Sequence, residues 1–175
     1  MSVNLEIERK FLVRDPDPDL LNIKDRFDIL QTYLENGEND SQRRVRKISE
    51  NNKVTYMYTE KIFYSPTTRK ETEYEITEAQ YNDLLTQAKK GCKPIKKCRI
   101  CFEYKDQLFE MDIYDFSDKF AILELELKDE AQEIFFPEYI DIIKEVTGVE
   151  EYSNAALGTA RAFPSATPQK AHLTV

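Results

Sequence analysis

The chain has 175 residues, the length of one domain with its own core. It is 41% hydrophobic and 33% charged, with a net charge of −8, an acidic balance that argues against binding nucleic acid through its phosphates. No apolar run is long enough for a transmembrane helix and no signal-peptide pattern precedes the first strand, so the expectation is a cytoplasmic protein that engages neither membrane nor nucleic acid.

LEIERKFLV (5–13) alternates apolar Leu5, Ile7, Phe11 and Val13 with Glu6, Glu8 and Lys10, the pattern of a strand with two different faces. DPDPD (15–19) is a turn, and the sequence predicts a short helix for LLNIKDRFDIL (20–30). Strands follow at QTYLEN (31–36), QRRVRKIS (42–49), KVTYMYTEKIFY (53–64) and RKETEYEI (69–76), with Asn51–Asn52 as a hairpin turn. Thr77 and Gln80 form a capping box, and Tyr81, Leu84, Leu85 and Ala88 recur at helical spacing before Gly91. Strands resume at IKKCRICFEY (95–104), LFEMDIYDF (108–116) and AILELELK (121–128). Residues 129–147 read as a helix in two pieces split at Pro137, and 151–162 as a last helix. Residues 163–175 carry no core pattern and read as a disordered tail, which leaves 1–162 as the domain. Consecutive runs of strands favour an antiparallel α+β fold, and eight antiparallel strands suffice to close a β-barrel with flanking helices.

Several chemistries find no support. Cys98 and Cys101 form C-x-x-C, but the only histidine is His172 and no second Cys/His pair accompanies them, so they read as strand cysteines and not as a zinc or redox site. The odd third cysteine, Cys92, argues against a disulfide framework. The same lack of histidine disfavours a Ser/His/Asp or Cys/His nucleophile, and four glycines provide no phosphate-cradling loop.

The informative feature is one face of each strand. Glu6, Glu8 and Lys10 share a row, as do Arg44 and Arg46, Thr59 and Lys61, Arg69 with Glu71, Glu73 and Glu75, Lys97 and Arg99, Glu110 and Asp112, and Glu124 and Glu126. A solvated outer face accounts for any one of these rows. Seven strands in succession with like charges paired are harder to explain that way. Side chains at i and i+2 lie ~6.5 Å apart on one face, and like charges so close repel. A ligand offsets that cost. Carboxylate pairs suit a hard divalent cation such as Mg²⁺ or Mn²⁺, and Arg and Lys pairs suit phosphate oxygens. A barrel lined with both would take a metal–polyphosphate complex, with Glu6 and Glu8 facing inward toward metal and Lys10 toward phosphate.

Glu6-x-Glu8-x-Lys10 resembles the ExExK signature of the CYTH, or triphosphate tunnel metalloenzyme, family. The order of RRVR (43–46), TEK (59–61), EYE (73–75), KKCR (96–99), FEMD (109–112), LELEL (123–127) and YSNAAL (152–157) resembles that family too, over residues 3–157. The resemblance implies an eight-stranded antiparallel tunnel that binds triphosphate compounds with a divalent metal. It implies metal binding by Glu6, Glu8, Asp112, Glu124 and Glu126, phosphate binding by Lys10, Arg44, Arg46, Lys61, Lys97 and Arg99, and a lining shared with Glu73, Glu75 and Glu110. Lys10 and Glu8 are the catalytic candidates, Lys10 as a stabiliser of the leaving group or as a structural partner of Glu8. The chain departs from the family at Ala155, where small bacterial members often carry Lys or Arg. It lacks the His-Phe pair common near the start of class IV adenylate cyclases, and it has no Trp to supply the aromatic platform of thiamine triphosphatases. The expected activity is metal-dependent hydrolysis of a small triphosphate, foremost inorganic tripolyphosphate. The alternatives are an adenylate cyclase acting on ATP and a non-catalytic binder of polyphosphate or nucleotide. A homodimer is compatible with this reading.

Overall fold

A computed structural model of the chain describes residues 2–14, 17–65 and 67–165, the side chains of 2–6 excepted. The strands are β1 (Ser2–Arg14), β2 (Ile23–Tyr33), β3 (Gln42–Glu50), β4 (Lys53–Phe63), β5 (Thr68–Ile76), β6 (Ile95–Tyr104), β7 (Gln107–Tyr114), β8 (Phe120–Leu127) and β9 (Ile142–Glu145). The helices are α1 (Glu78–Leu85) and α2 (Asn154–Ala160). The sheet runs β5-β4-β3-β2-β6-β7-β8-β1, and β1 returns to β5, so eight strands close into an antiparallel barrel while β9 lies outside on β1. Closure works because β1 divides its partners: Ser2–Ile7 pair with β5 and Ile7–Arg14 with β8. The expected α+β barrel is therefore the fold. Among the described residues no helix is long and apolar enough to cross a membrane.

Two local expectations are corrected. Residues 23–33 form a strand, not a helix. Ile23, Phe27 and Leu30 stand at helical spacing, yet Ile23 and Leu30 are both 39% exposed, while alternate residues Ile29, Gln31 and Tyr33 are buried. Pairing with β3 on one side and β6 on the other overrides the local pattern, as tertiary context commonly does. Residues 129–147, expected as a helix in two pieces, are likewise not helical: Ile142–Glu145 form β9, and 129–141 are turns and extended chain. This strap lays Ile134, Phe136 and Ile140 over the outer faces of β1 and β6–β8, against Phe11, Phe102, Phe109 and Leu123. Ile134 and Phe136 point the same way at i and i+2, which only an extended chain allows.

The local signals that held have clear causes. Thr77 and Gln80 cap α1 reciprocally, and Tyr81 on that helix packs over β3 and β4 beside Val45 and Tyr58. The β3–β4 hairpin turns through Asn51–Asn52 as expected; the β6–β7 hairpin turns through Lys105–Asp106, one residue before the Asp106–Gln107 turn the sequence suggests, and all four residues have positive φ, the geometry that matches the strand twist of a two-residue loop.

The interior changes character along the barrel axis. From one end to the other the inner rows read Glu8, Lys10, Leu12 on β1; Glu126, Glu124, Ile122 on β8; Glu110, Asp112, Tyr114 on β7; and Arg99, Lys97, Ile95 on β6. The apolar ends of these rows join Tyr33, Val146, Tyr152 and Leu157 in one buried cluster, so α2 and the segment before it close that end as a floor. Within the floor the Tyr114 hydroxyl donates to Asn154 Oδ1 at 2.6 Å. Phe163, assigned to the tail by the sequence, stands edge-on to Tyr114 at a centroid distance of 5.6 Å. Residues 166–175 of that tail lie outside the described residues.

Candidate active site

Above the floor is a charged cavity of about 700 Å³. A second lobe of about 320 Å³ opens toward Phe63, Val149 and Tyr152. Lys10, Arg44, Lys61, Arg69 and Glu8 border both lobes. The period-2 alternation that the barrel imposes puts each of these side chains inside, while their sequence neighbours pack outward.

One wall is basic. Arg44 and Arg46 on β3 stand opposite Thr59 and Met57 on β4, and Lys61 on β4 stands opposite Glu71 on β5. Lys61 is ion-paired with Glu71, and Arg44 Nη2 lies 3.8 Å from the same carboxylate. Arg46 Nη2 donates to Glu73, which also accepts from the Thr59 hydroxyl at 2.7 Å. Arg69 is ion-paired with Glu8 across the barrel seam. Burial, reinforced by the Arg44 guanidinium, pulls the Lys61 ammonium down to about 7 despite Glu71. Burial and Arg44 likewise lower the Arg46 guanidinium to about 10. Cations held this way are short of negative charge.

The other wall is acidic. Glu124 on β8 stands directly opposite Lys10 on β1 and Glu110 on β7, and Glu126 stands directly opposite Glu8. Lys10 Nζ bridges Glu124 at 2.7 Å and Glu8 at 3.1 Å. These two carboxylates raise the Lys10 ammonium against the opposing effect of burial. Burial, reinforced by Glu124 and Asp112, raises the Glu110 carboxyl despite Arg99. Glu126 makes no ion pair among the described residues and lines the open part of the cavity.

Arg99 joins the two walls. Its Nε and Nη2 donate to the two oxygens of Asp112 at 2.7 and 2.8 Å, and Nη2 reaches Glu124 at 3.0 Å. Nη1 donates to Glu110.

The structure brings Glu8, Lys10, Arg44, Arg46, Lys61, Glu73, Arg99, Glu110, Glu124 and Glu126 of the sequence-predicted set to this cavity. Three predicted residues stand elsewhere. Asp112 is fully buried and Lys97 is 3% exposed. They are ion-paired with each other behind Arg99, so both Asp112 oxygens face cations, and the residue orients Arg99 where the sequence suggested a metal ligand. Lys97 is correspondingly a partner of Asp112 and does not line the cavity. Glu75 is exposed at the end of its row, beyond the lining. The Glu6 side chain lies outside the described residues; its backbone pairs with Arg69. Sequence reading placed Arg69 and Glu71 on the charged face of their strand without assigning them to the site. It missed Tyr33, which borders the second lobe beside Lys10 and Arg44, because the strand expected at 31–36 carries no paired like charges to mark an inner face. Ala155, at the departure from the family pattern, packs against the floor cluster, and Arg161 does not replace it: its Nη2 pairs outward with Asp115 at 2.8 Å.

The donor set of the acidic wall suits a divalent metal. Glu8 facing Glu126 and Glu124 facing Glu110 are like charges in directly opposed positions, an arrangement that costs stability unless something cationic shares it. Carboxylate oxygens are what a hard cation takes. Lys10 and Arg99 partly fill that role, and among the described residues no three carboxylates are drawn into one coordination sphere. Glu8, Glu124 and Glu126, with Glu110 at the edge, are the residues that would hold it.

Comparison with known proteins fits this geometry. A family profile described as CYTH domain matches residues 4–152, and the chain belongs to that family. Among solved structures it is similar to the inorganic triphosphatase NE1496, at 28% identity and a TM-score of 0.55 over 87% of this chain and 97% of that one. It shares its fold with the PH1819 protein of Pyrococcus horikoshii OT3, at 20% identity and a TM-score of 0.53 over 71% of this chain and 80% of that one. No curated protein matches the chain.

Proposed function

We propose that the chain is a divalent-metal-dependent hydrolase of small triphosphates, with inorganic tripolyphosphate as its substrate and Mg²⁺ or Mn²⁺ as its metal. The observation that carries this reading is the pair of facing walls, Arg44, Arg46, Lys61 and Arg69 against Glu8, Glu110, Glu124 and Glu126, in one cavity. A short chain of phosphates needs many cationic contacts, and a metal bridging it needs carboxylates on the opposite side. The similarity to a protein described as an inorganic triphosphatase supports the same class of substrate.

A divalent cation, when bound, supplies charge neutralisation at the phosphoryl oxygens and polarises the attacking water. The chain's own residues do the rest. Arg44 and Arg46 offer planar forks that match phosphate oxygens bidentately. Arg99, fixed by Asp112, is a preoriented charge whose position costs nothing to reorganise during reaction. Lys10 stays an ammonium through the neutral range, so it stabilises charge on the departing phosphate and does not accept a proton.

The test is a panel of tripolyphosphate, ATP, GTP and thiamine triphosphate with Mg²⁺, Mn²⁺ or chelator. Orthophosphate release from tripolyphosphate that stops with chelator is the expected result. Cyclic AMP from ATP would make the chain a cyclase. Metal-dependent binding of tripolyphosphate without turnover would make it a binding protein.

A further inference from the structure

Gln31 is the inner-row residue of β2 that the site described above leaves unused. It is fully buried, and neither its amide oxygen nor its amide nitrogen has a hydrogen-bond partner among the described residues. A buried amide without partners is costly. Directly opposite it on β6 is Ile95, also fully buried, which offers no polar group. Directly opposite it on β3 is Arg46, which lines the cavity. The Arg46 Nε–H is itself buried without a hydrogen-bond partner, while Nη2 is drawn away to Glu73. An acceptor and a donor, both unused, thus face each other across one strand pair, where opposed side chains lie within reach of each other.

We propose that Gln31 is a positioning residue for phosphate binding, whose amide oxygen receives the Arg46 Nε–H when the Arg46 guanidinium leaves Glu73 for a bound triphosphate. The inference rests on the proposed function and names a residue that acts through Arg46. Phosphate oxygens compete with Glu73 for the terminal nitrogens. As those nitrogens turn to the phosphate, the unpartnered Nε–H swings round to meet Gln31. The bond forms only in the complex, so it favours the complex over the free protein and fixes the plane of the fork that grips the phosphate.

The test is a double-mutant cycle. Tripolyphosphate is titrated calorimetrically, with Mg²⁺ present, into the parent, Gln31→Leu, Arg46→Ala and the double variant, and a melting curve is recorded for each. Gln31→Leu is expected to weaken binding about tenfold in the parent background and less than twofold in the Arg46→Ala background. Its melting temperature should not fall, because an unpartnered amide has been exchanged for an apolar group of similar size. Gln31→Met, unbranched and closer in shape, gives the same comparison if the leucine variant does not fold. Unchanged affinity in Gln31→Leu overturns the proposal, as does a tenfold loss that persists without Arg46 or that comes with a fall in melting temperature. Failure of the parent itself to bind tripolyphosphate overturns the functional reading as well, and is told apart by appearing before any substitution is made.

Discussion

The two walls of the cavity are built by the same device and held in opposite ways. On the basic wall every cation faces carboxylates that are already inside: Glu71 serves Lys61 and lies near Arg44, and Glu73 serves Arg46. On the acidic wall Lys10 and Arg99 serve Glu8, Glu110 and Glu124, and Glu126 is left without an ion pair among the described residues. Both arrangements keep a charged interior folded in the absence of ligand, since a buried charge without a partner is strongly destabilising. The difference lies in what is left on each wall. The basic wall crowds cations in a buried place, where burial and the neighbouring Arg44 lower Lys61 and Arg46. The acidic wall lacks a cation at Glu126, which faces a Glu8 already paired with Lys10 and Arg69. Under the proposed function, one wall would take the anion and the other the metal.

The largest effect should come from the acidic wall. Glu126→Gln removes one of two directly opposed carboxylates, and turnover and Mn²⁺ affinity should fall together, turnover by on the order of a hundredfold or more. The melting temperature should hold or rise, because a repulsion has been relieved. Normal Mn²⁺ titration and normal turnover in this variant would make Glu126 a rim residue and break the comparison.

The basic wall should respond differently. Arg46→Ala should weaken tripolyphosphate binding by about 1.5–3 kcal/mol, the value of a hydrogen bond to a charged group, while Mn²⁺ titrates as in the parent. Equal loss of both ligands would mean that the walls are not separable.

Lys61 gives a pH signature. Its ordinary value of 10.5 is lowered to about 7 by burial and Arg44, so at pH 8 it is largely neutral in the free protein. A polyanion beside it raises it again, so binding at pH 8 should take up a proton, about one at most. Below pH 6, where Lys61 is already charged, that uptake should vanish. Calorimetric titration in two buffers of different ionisation enthalpy measures the uptake, and Lys61→Met should lose the part that belongs to this residue. An uptake at pH 8 that is the same in the variant would assign the proton elsewhere.

The smallest effect belongs to the floor that both walls share. Tyr114→Phe removes the 2.6 Å bond to Asn154 and should cost about 1 kcal/mol of stability with turnover unchanged. Loss of activity there would extend the site below Lys10.

Most of this was legible before the structure. Alternation of charge with Ile, Leu and Phe identified seven strands and their inner faces, because a period of 2 is hard to mistake when one face is apolar and the other ionised. The capping box at Thr77 identified α1 for an equally local reason. What escaped was set by contacts distant in sequence. β2 lacks the alternation because Ile29 and Leu30 are adjacent apolar residues, one buried and one exposed, and its strand form comes from β3 and β6. Tyr33 and Gln31 fell in the strand expected at 31–36, but no repeated charge there marked an inner face. The strap at 129–141 is held by Phe136 packing edge-on against Phe11 and tilted against Phe109, contacts that no local pattern announces. Asp112 carries the same signature as Glu110 two residues away, and only depth separates a cavity carboxylate from one clamped by Lys97 and Arg99.

The division of labour between the walls is tested most directly by a crystal of the protein grown with Mn²⁺ and tripolyphosphate, with anomalous scattering used to place the metal. The account predicts a manganese peak among the carboxylates of Glu8, Glu124 and Glu126, and phosphate density against the guanidinium groups of Arg44 and Arg46 in the same cavity. Manganese and phosphate bound outside the barrel, or phosphate seated with no metal on the carboxylate wall, would contradict it.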